Sequence, residues 1–312
     1  MSGLVFLFPG QGSQYVGMGK ALYDDLPSVK RLFEEASEVT GKDLRTLCFE
    51  GPDTTLVQTD NVQPAITLVS LSCLQVLREA GVNPTVVAGH SVGEYAALCA
   101  AGSFSFADAM RLVQVRGSAM RQEAERHPGA MAAIFGLSPE VLVEICAEAG
   151  NSSVQLANHN TKTQIVVTGT QDGVQAVGKA AKARGAKLVV PLKVSGPWHS
   201  QFMAGAQEPL RECLQRCNVC SPQIETIANI SAEPYGSDPE SIESALVSQI
   251  VSPVLWSQSM ANLVARGFRT FVEVGPGRVL GGLLKDFGPE IRVFNVQDTE
   301  SFSKFKAAAP QN

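Results

Sequence analysis

A chain of 312 residues, 45% hydrophobic and 18% charged, is long enough to bury a large core as one large domain or two unequal ones. The net charge of −5 argues against nucleic acid as a bulk partner, and no apolar run approaches the ~20 residues that a membrane span needs. The seven cysteines are odd in number and fall mostly in helical patterns, as at Cys73, Cys99 and Cys146, which points to reduced, buried thiols.

The first element is a strand, Leu4–Phe8, entered without a basic leader or cleavage site, so a cytoplasmic location is expected. It runs into a glycine-rich loop (Gly10, Gly12, Gly17, Gly19) at the C-terminal edge of the expected sheet, where α/β proteins bind ligands. The loop is no phosphate cradle: Gly17-Met18-Gly19-Lys20 is followed by Ala21 and lacks both the hydroxyl residue and the spacing. Several helices follow to about Ala80. Pro84–Ala88 then reads as a short buried strand and Glu94–Ala101 as a helix, with Gly89-His90-Ser91-Val92-Gly93 between them. A serine between two glycines on a strand-to-helix turn is a common way to build an activated nucleophile. Side chains at 89 or 93 would collide with neighbouring backbone, and the free N–H groups at the helix start favour an oxyanion.

From about Gly129 the rhythm changes to strand Met131–Gly136, helix Pro139–Ala149, strands Val154–Asn158 and Gln164–Gly169, helix Gln171–Arg184 and strand Lys187–Leu192. This βαββαβ order is ferredoxin-like and reads as a small subdomain, 128–194, inserted into a larger α/β domain made of 1–127 and 195–312. The large domain resumes with a helix from about Phe202, a strand near Glu225–Ile230, helices Ser241–Val251 and Ser257–Arg266, a strand Thr270–Val274 and a last pair near Leu280–Lys285 and Arg292–Asn295. The segment from Ala307 to Asn312 reads as a frayed end. Cys213, Cys217 and Cys220 have iron–sulfur spacing. Cys213 and Cys217, however, are i, i+4 on an amphipathic helix and belong to a core stripe, so no metal is expected there.

A serine nucleophile needs a base, and the chain has four histidines, His90, His127, His159 and His199. His127 lies in a charged, solvent-facing loop, and His90 points away from the serine and suits a structural hydrogen bond. His199, in a loop just after the insertion where a cleft should open, is the candidate base. Arg116 stands three, four or seven residues from Ala109, Leu112, Val113 and Met120, which turns its guanidinium to the inward stripe of its helix, while Arg111, Arg121 and Arg126 face water. No acid shares that stripe. A substrate carboxylate and an ion pair to a distant Asp or Glu are equally good partners on physics alone.

Phe8-Pro9-Gly10-Gln11-Gly12-Ser13-Gln14, Gly89-His90-Ser91-Val92-Gly93-Glu94-Tyr95, Gln114-Val115-Arg116-Gly117, Val194-Ser195-Gly196-Pro197-Trp198-His199-Ser200 and Val272-Glu273-Val274-Gly275-Pro276-Gly277 together resemble the malonyl-CoA:acyl carrier protein transacylase family. The resemblance spans nearly the whole chain and implies an α/β-hydrolase-like domain with a ferredoxin-like insertion. It implies Ser91 as nucleophile, His199 as base, the backbone N–H groups of Gln11 and Val92 as oxyanion hole, the Gln249 carbonyl as the group orienting His199, and Arg116 as the clamp on the malonyl carboxylate. His90, Met120, Asn158, Asn160 and Trp198 are placed around the substrate on the same likeness. The implied reaction is ping-pong transfer from malonyl-CoA to the phosphopantetheine thiol of acyl carrier protein, by a monomer without bound cofactor, in fatty acid synthesis.

Two departures stand out: Asn158-His159-Asn160 is followed by Thr161-Lys162-Thr163 where the family often has Ser-Pro-Gly, and Trp198 replaces a commoner Phe. The bulk of Trp198 favours malonyl over methylmalonyl. Lys179, Lys182, Arg184 and Lys187 form a basic cluster that could meet CoA phosphates or an acidic carrier protein. Alternatives are an acyltransferase or acyl hydrolase of a polyketide pathway, an α/β-hydrolase esterase or thioesterase, and a non-catalytic carrier-binding scaffold. The hydrolase triad places its histidine near the chain's end, whereas more than a third of this chain follows His199, and a scaffold needs none of Ser91, His199 and Arg116.

Overall fold

The computed structural model describes residues 3–149 and 153–308. Strand β1 (Leu4–Phe8) is followed by helices α1 (Lys20–Asp25), α2 (Pro27–Thr40), α3 (Leu44–Phe49), α4 (Asp53–Leu56) and α5 (Thr59–Glu79), then by β2 (Val86–Gly89), α6 (Gly93–Ala100) and α7 (Phe106–Arg126). The small unit comprises β3 (Ala130–Phe135), α8 (Pro139–Ala149), β4 (Val154–His159), β5 (Gln164–Gly169), α9 (Gln171–Ala183) and β6 (Leu188–Pro191). Then come α10 (Gln207–Leu214), β7 (Glu225–Ile227), α11 (Pro239–Gln249), α12 (Trp256–Ala265), β8 (Thr270–Val274), α13 (Val279–Leu284), β9 (Arg292–Val296) and α14 (Thr299–Ala308).

Five parallel strands form the larger sheet in the order β7-β2-β1-β8-β9. β1 is central, and its near-continuous apolar run follows from burial on both faces: Phe6 and Phe8 enter the core under α2, α5, α6 and α7, while Val5 and Leu7 face α12 and α13. The second sheet is antiparallel, in the order β4-β5-β3-β6. Because strand side chains alternate, Met131, Ala133, Ala157 and Val166 turn toward the large core, and Ala132, Ile134, Ile165 and Val167 pack under α8 and α9.

The small sheet meets the large unit at β4, which pairs with the connection between α11 and α12. Its His159 N–H donates to Val254 O at 2.9 Å and Ala157 O accepts from Val254 N–H at 2.8 Å. Gln155 adds side-chain hydrogen bonds to His199 O at 3.2 Å and Val251 O at 3.3 Å, and accepts from Gln201 N–H at 3.2 Å.

The elements follow the sequence pattern with three differences. The helix expected from Phe202 begins as a 3₁₀ turn, Gln201–Ala206, and α10 ends at Leu214, so Cys217 lies past it, though its thiol still reaches back to Cys213 O at 3.2 Å. All seven cysteines are free, five of them buried. The strand expected to continue through Ile230 stops at Ile227, where a tight turn takes over and brings Asn229 inward. Ala307 and Ala308, expected to fray, close α14, which is held by Phe305 in the core; residues 309–312 lie outside the described residues. Among the described residues no helix is long and apolar enough to cross a membrane.

Candidate active site

The turn between β2 and α6 is as tight as the glycines suggest. A Cβ on Gly89 would stand 2.0 Å from Gly93 O, and one on Gly93 would stand 2.2 Å from Phe8 O, so neither position admits a side chain. Ser91 is thereby forced into the left-handed region, φ 53°, a strained conformation that persists only when its surroundings hold it. Asn229 Oδ1 accepts from Ser91 N–H at 2.8 Å, Asn229 Nδ2 donates to Gly89 O at 2.6 Å, and Gln249 Nε2 donates to Ser91 O at 3.0 Å.

His199 also has positive φ, 57°, and is almost fully buried. Its Nδ1 faces two carbonyl oxygens, Gln249 O at 3.0 Å and Ser252 O at 3.2 Å, so Nδ1 carries the ring hydrogen. Nε2 is then free to accept, and Ser91 Oγ lies 2.7 Å away. Burial, and after it the nearby Arg116 charge, pushes the imidazole down to about 3, so the ring is neutral and its Nε2 lone pair is the one that faces the hydroxyl.

Arg116, 1% exposed, donates through Nη1 to Gln63 Oε1 at 2.7 Å and through Nη2 to Gln249 Oε1 at 2.9 Å and Ser91 Oγ at 3.2 Å. Its guanidinium lies over the Tyr95 ring, 5.7 Å from the centroid, and among the described residues no carboxylate pairs with it. Nε has no partner. Burial is therefore offset by neutral acceptors, leaving the cation's charge available to an incoming anion.

These groups line a cavity of about 100 Å³ closed by Gln11, Met120, Met131, Asn158 and Trp198. Gly10 lets the Gln11 loop lie against the elbow, since a Cβ there would meet His90 O at 2.5 Å. Among the described residues neither the Gln11 nor the Val92 backbone N–H has a protein acceptor. A larger cavity, about 420 Å³ between α13, β9 and α14, contains none of these groups.

The other residues singled out from sequence divide. His90 Nε2 meets Asn160 Oδ1 at 2.9 Å and its ring stands edge-on to Trp256, so Asn160 reaches the cavity only through His90. Gln249 is fully buried behind His199 and Arg116. Lys179 and Lys182 are exposed on α9, on the face of the small sheet turned away from the cavity. Arg184 pairs with Glu144 and Glu148, and Lys187 lies along Gly136 at the far end of β3. Gln63, Asn229 and Ser252 were not singled out. Each is polar in an ordinary helix or turn, and only the fold brings them to Ser91, His199 and Arg116.

Residues 5–300 match the family of acyl transferase domains, the class to which a parallel-sheet serine site of this kind points. The chain is 44% identical over 304 residues to the malonyl CoA-acyl carrier protein transacylase of Bacillus subtilis, covering 96% of this chain and 95% of that protein. The malonyl-CoA:acyl carrier protein transacylase structure from Xanthomonas oryzae superposes with a TM-score of 0.94 at 36% identity, covering 99% and 98% of the two chains. A type II polyketide-synthase malonyl-transacylase, solved in complex with its holo acyl-carrier protein, superposes with a TM-score of 0.92 at 38% identity, covering 97% and 98%. The chain belongs to the malonyl CoA-acyl carrier protein transacylase family.

Proposed function

We propose that this protein transfers malonyl groups from malonyl-CoA to the phosphopantetheine thiol of an acyl carrier protein through an ester on Ser91, supplying fatty acid synthesis. The observation that carries the reading is the 3.2 Å between Arg116 Nη2 and Ser91 Oγ: a buried cation that pairs with no carboxylate among the described residues stands beside the nucleophile and suits an acyl group that ends in a carboxylate.

His199 Nε2 takes the proton of Ser91 Oγ as the oxygen attacks the malonyl thioester carbonyl. The backbone N–H groups of Gln11 and Val92 receive the developing oxyanion, each worth roughly 3 kcal/mol of transition-state stabilisation. Collapse breaks the C–S bond, and the imidazolium returns its proton to the departing CoA sulfur. The carrier thiol then repeats the sequence in reverse, its proton passing to His199 while its sulfur attacks the Ser91 ester. Met120, Met131 and Trp198 supply apolar walls to a small cavity whose other walls are polar, which leaves little room for water beside the ester.

The architecture is read as an α/β-hydrolase-like domain, 1–127 with 195–312, and a ferredoxin-like insertion, 128–194; the βαββαβ order and the strand order β4-β5-β3-β6 support it. A cytoplasmic monomer without bound cofactor completes the reading. Intact mass after mixing with malonyl-CoA tests it: a malonyl adduct absent in Ser91→Ala, and lost as holo carrier protein gains the same mass, is the expected result. CoA release with no loading of the carrier would mean a hydrolase. The likeness to a polyketide-system transacylase favours a second carrier class, and comparing the two kinds of carrier as acceptors separates them.

A further inference from the structure

Glu94 is buried beneath the elbow, 1% exposed, and the steps above give it no task. It enters the first turn of α6 directly after the glycine that shapes the turn. Its Oε1 accepts from the Asn229 backbone N–H at 2.8 Å and from the Tyr235 hydroxyl at 2.9 Å, and its Oε2 accepts from the Gln249 side-chain amide. Three donors surround the two oxygens and work against the burial that raises this carboxyl to about 7, so above that pH the ionised form is held by hydrogen bonds on both oxygens.

The Gln249 amide is therefore fixed at both ends. Nε2 faces Glu94 and Ser91 O, and Oε1 faces Arg116 Nη2. Turning the amide over would set its oxygen against a carboxylate and a carbonyl, and its NH2 group against a guanidinium. Carboxylate, amide and guanidinium form one chain of hydrogen bonds, with opposite charges at its two ends.

We propose that Glu94 is a positioning residue: acting through the Gln249 side chain, it holds the Arg116 guanidinium beside Ser91 in the orientation that receives the free carboxylate of the acyl donor. The assignment rests on Arg116 being the carboxylate clamp. In Glu94→Gln the neutral amide no longer favours one end of Gln249, which leaves Ser91 O alone to orient it, and the cation loses the counter-charge linked to it through Gln249.

The test is the rate of acyl-enzyme formation with malonyl-CoA and with acetyl-CoA, by rapid quench and intact mass, for the unaltered protein, Glu94→Gln, Gln249→Leu, Arg116→Ala and the Glu94→Gln/Arg116→Ala pair. Gln249→Leu breaks the same link while keeping the backbone carbonyl that orients His199, and it serves if Glu94→Gln does not fold. Glu94→Gln and Gln249→Leu are each expected to lower malonyl loading at least about tenfold more than acetyl loading, chiefly through KM, and Glu94→Gln is expected to add nothing once Arg116 is gone. Equal losses for both donors would overturn the proposal and leave Glu94 as a prop for the elbow, and no loss for either would overturn it outright. If Arg116→Ala itself failed to separate the donors, the clamp reading would fall first; if it separated them and Glu94→Gln did not, only the relay would fall.

Discussion

His199 Nδ1 donates to the main-chain carbonyl of Gln249 at 3.0 Å, so the base is oriented by a neutral peptide group where many serine enzymes use a carboxylate. A carboxylate there would favour the imidazolium. A carbonyl fixes the tautomer without adding negative charge, and Arg116 nearby pushes further toward the neutral ring.

The first prediction concerns pH. The folded imidazole sits at about 3 and the unfolded one at 6.5, so between these values the unfolded chain binds more protons and stability falls as the solution is acidified. The slope attributable to this group is at most about 1.4 kcal/mol per pH unit. Glu94, raised by burial to about 7, acts with the opposite sign between 4.5 and 7, so the signal to read is the difference between His199→Gln and the unaltered protein. Denaturant unfolding from pH 4 to 7 should show a shallower acid limb in His199→Gln. Parallel curves would mean that His199 titrates normally.

Removing the cation should change selectivity more than capacity. Arg116→Ala is expected to lose about 2–3 kcal/mol of malonyl transition-state stabilisation, roughly 30- to 160-fold in kcat/KM, with acetyl loading much less affected. Single-turnover loading with the two thioesters measures this directly.

Gly93→Ala should be felt as strain, because the new methyl meets Phe8 O in the central strand and has nowhere to go. A loss of about 1–3 kcal/mol or more is expected, with a lowered Tm and an elbow that no longer aims Ser91. Circular dichroism melting together with acyl-enzyme yield checks both halves.

Asn229→Ala removes the side-chain grip on Ser91 N–H and Gly89 O together. The left-handed Ser91 should then relax, costing about 1–3 kcal/mol for the unsatisfied groups and at least tenfold in acylation rate. An active-site serine probe, reacting more slowly while the far-ultraviolet spectrum stays unchanged, would report the elbow alone.

Trp198 closes the small cavity. Trp198→Ala should raise methylmalonyl loading relative to malonyl loading, since the added space meets the α-methyl branch. A competition experiment with the two thioesters, read by mass, gives the ratio.

Local chemistry made the elbow and the inward Arg116 legible in the sequence. Glycines flanking a serine between an apolar strand and a helix state a steric requirement, and Arg116 sits among Ala109, Leu112, Val113 and Met120 on a buried stripe. The βαββαβ order was likewise readable from alternating strand and helix periods. Gln63, Asn229 and Ser252 were not, because their roles depend on contacts between positions far apart in the chain: Gln63 meets Arg116 across two packed helices, and Asn229 matters because β7 stops early. The basic residues from Lys179 to Lys187 form a cluster along the sequence, yet α9 sets them on the side of the small sheet opposite the cavity, and Arg184 is committed to Glu144 and Glu148. Charge is visible in a sequence; the side of a sheet on which it lands is decided by packing.

The stitching by Gln155 has a mechanical consequence. It ties β4 of the small sheet to the main chain of His199 and to Val251, next to Ser252, whose carbonyl holds the imidazole. The roof of the cavity and the base are thus one piece. A small sheet that moved outward would have to break these hydrogen bonds or pull on the segment that carries the imidazole, so the position of the roof bears on the aim of the base.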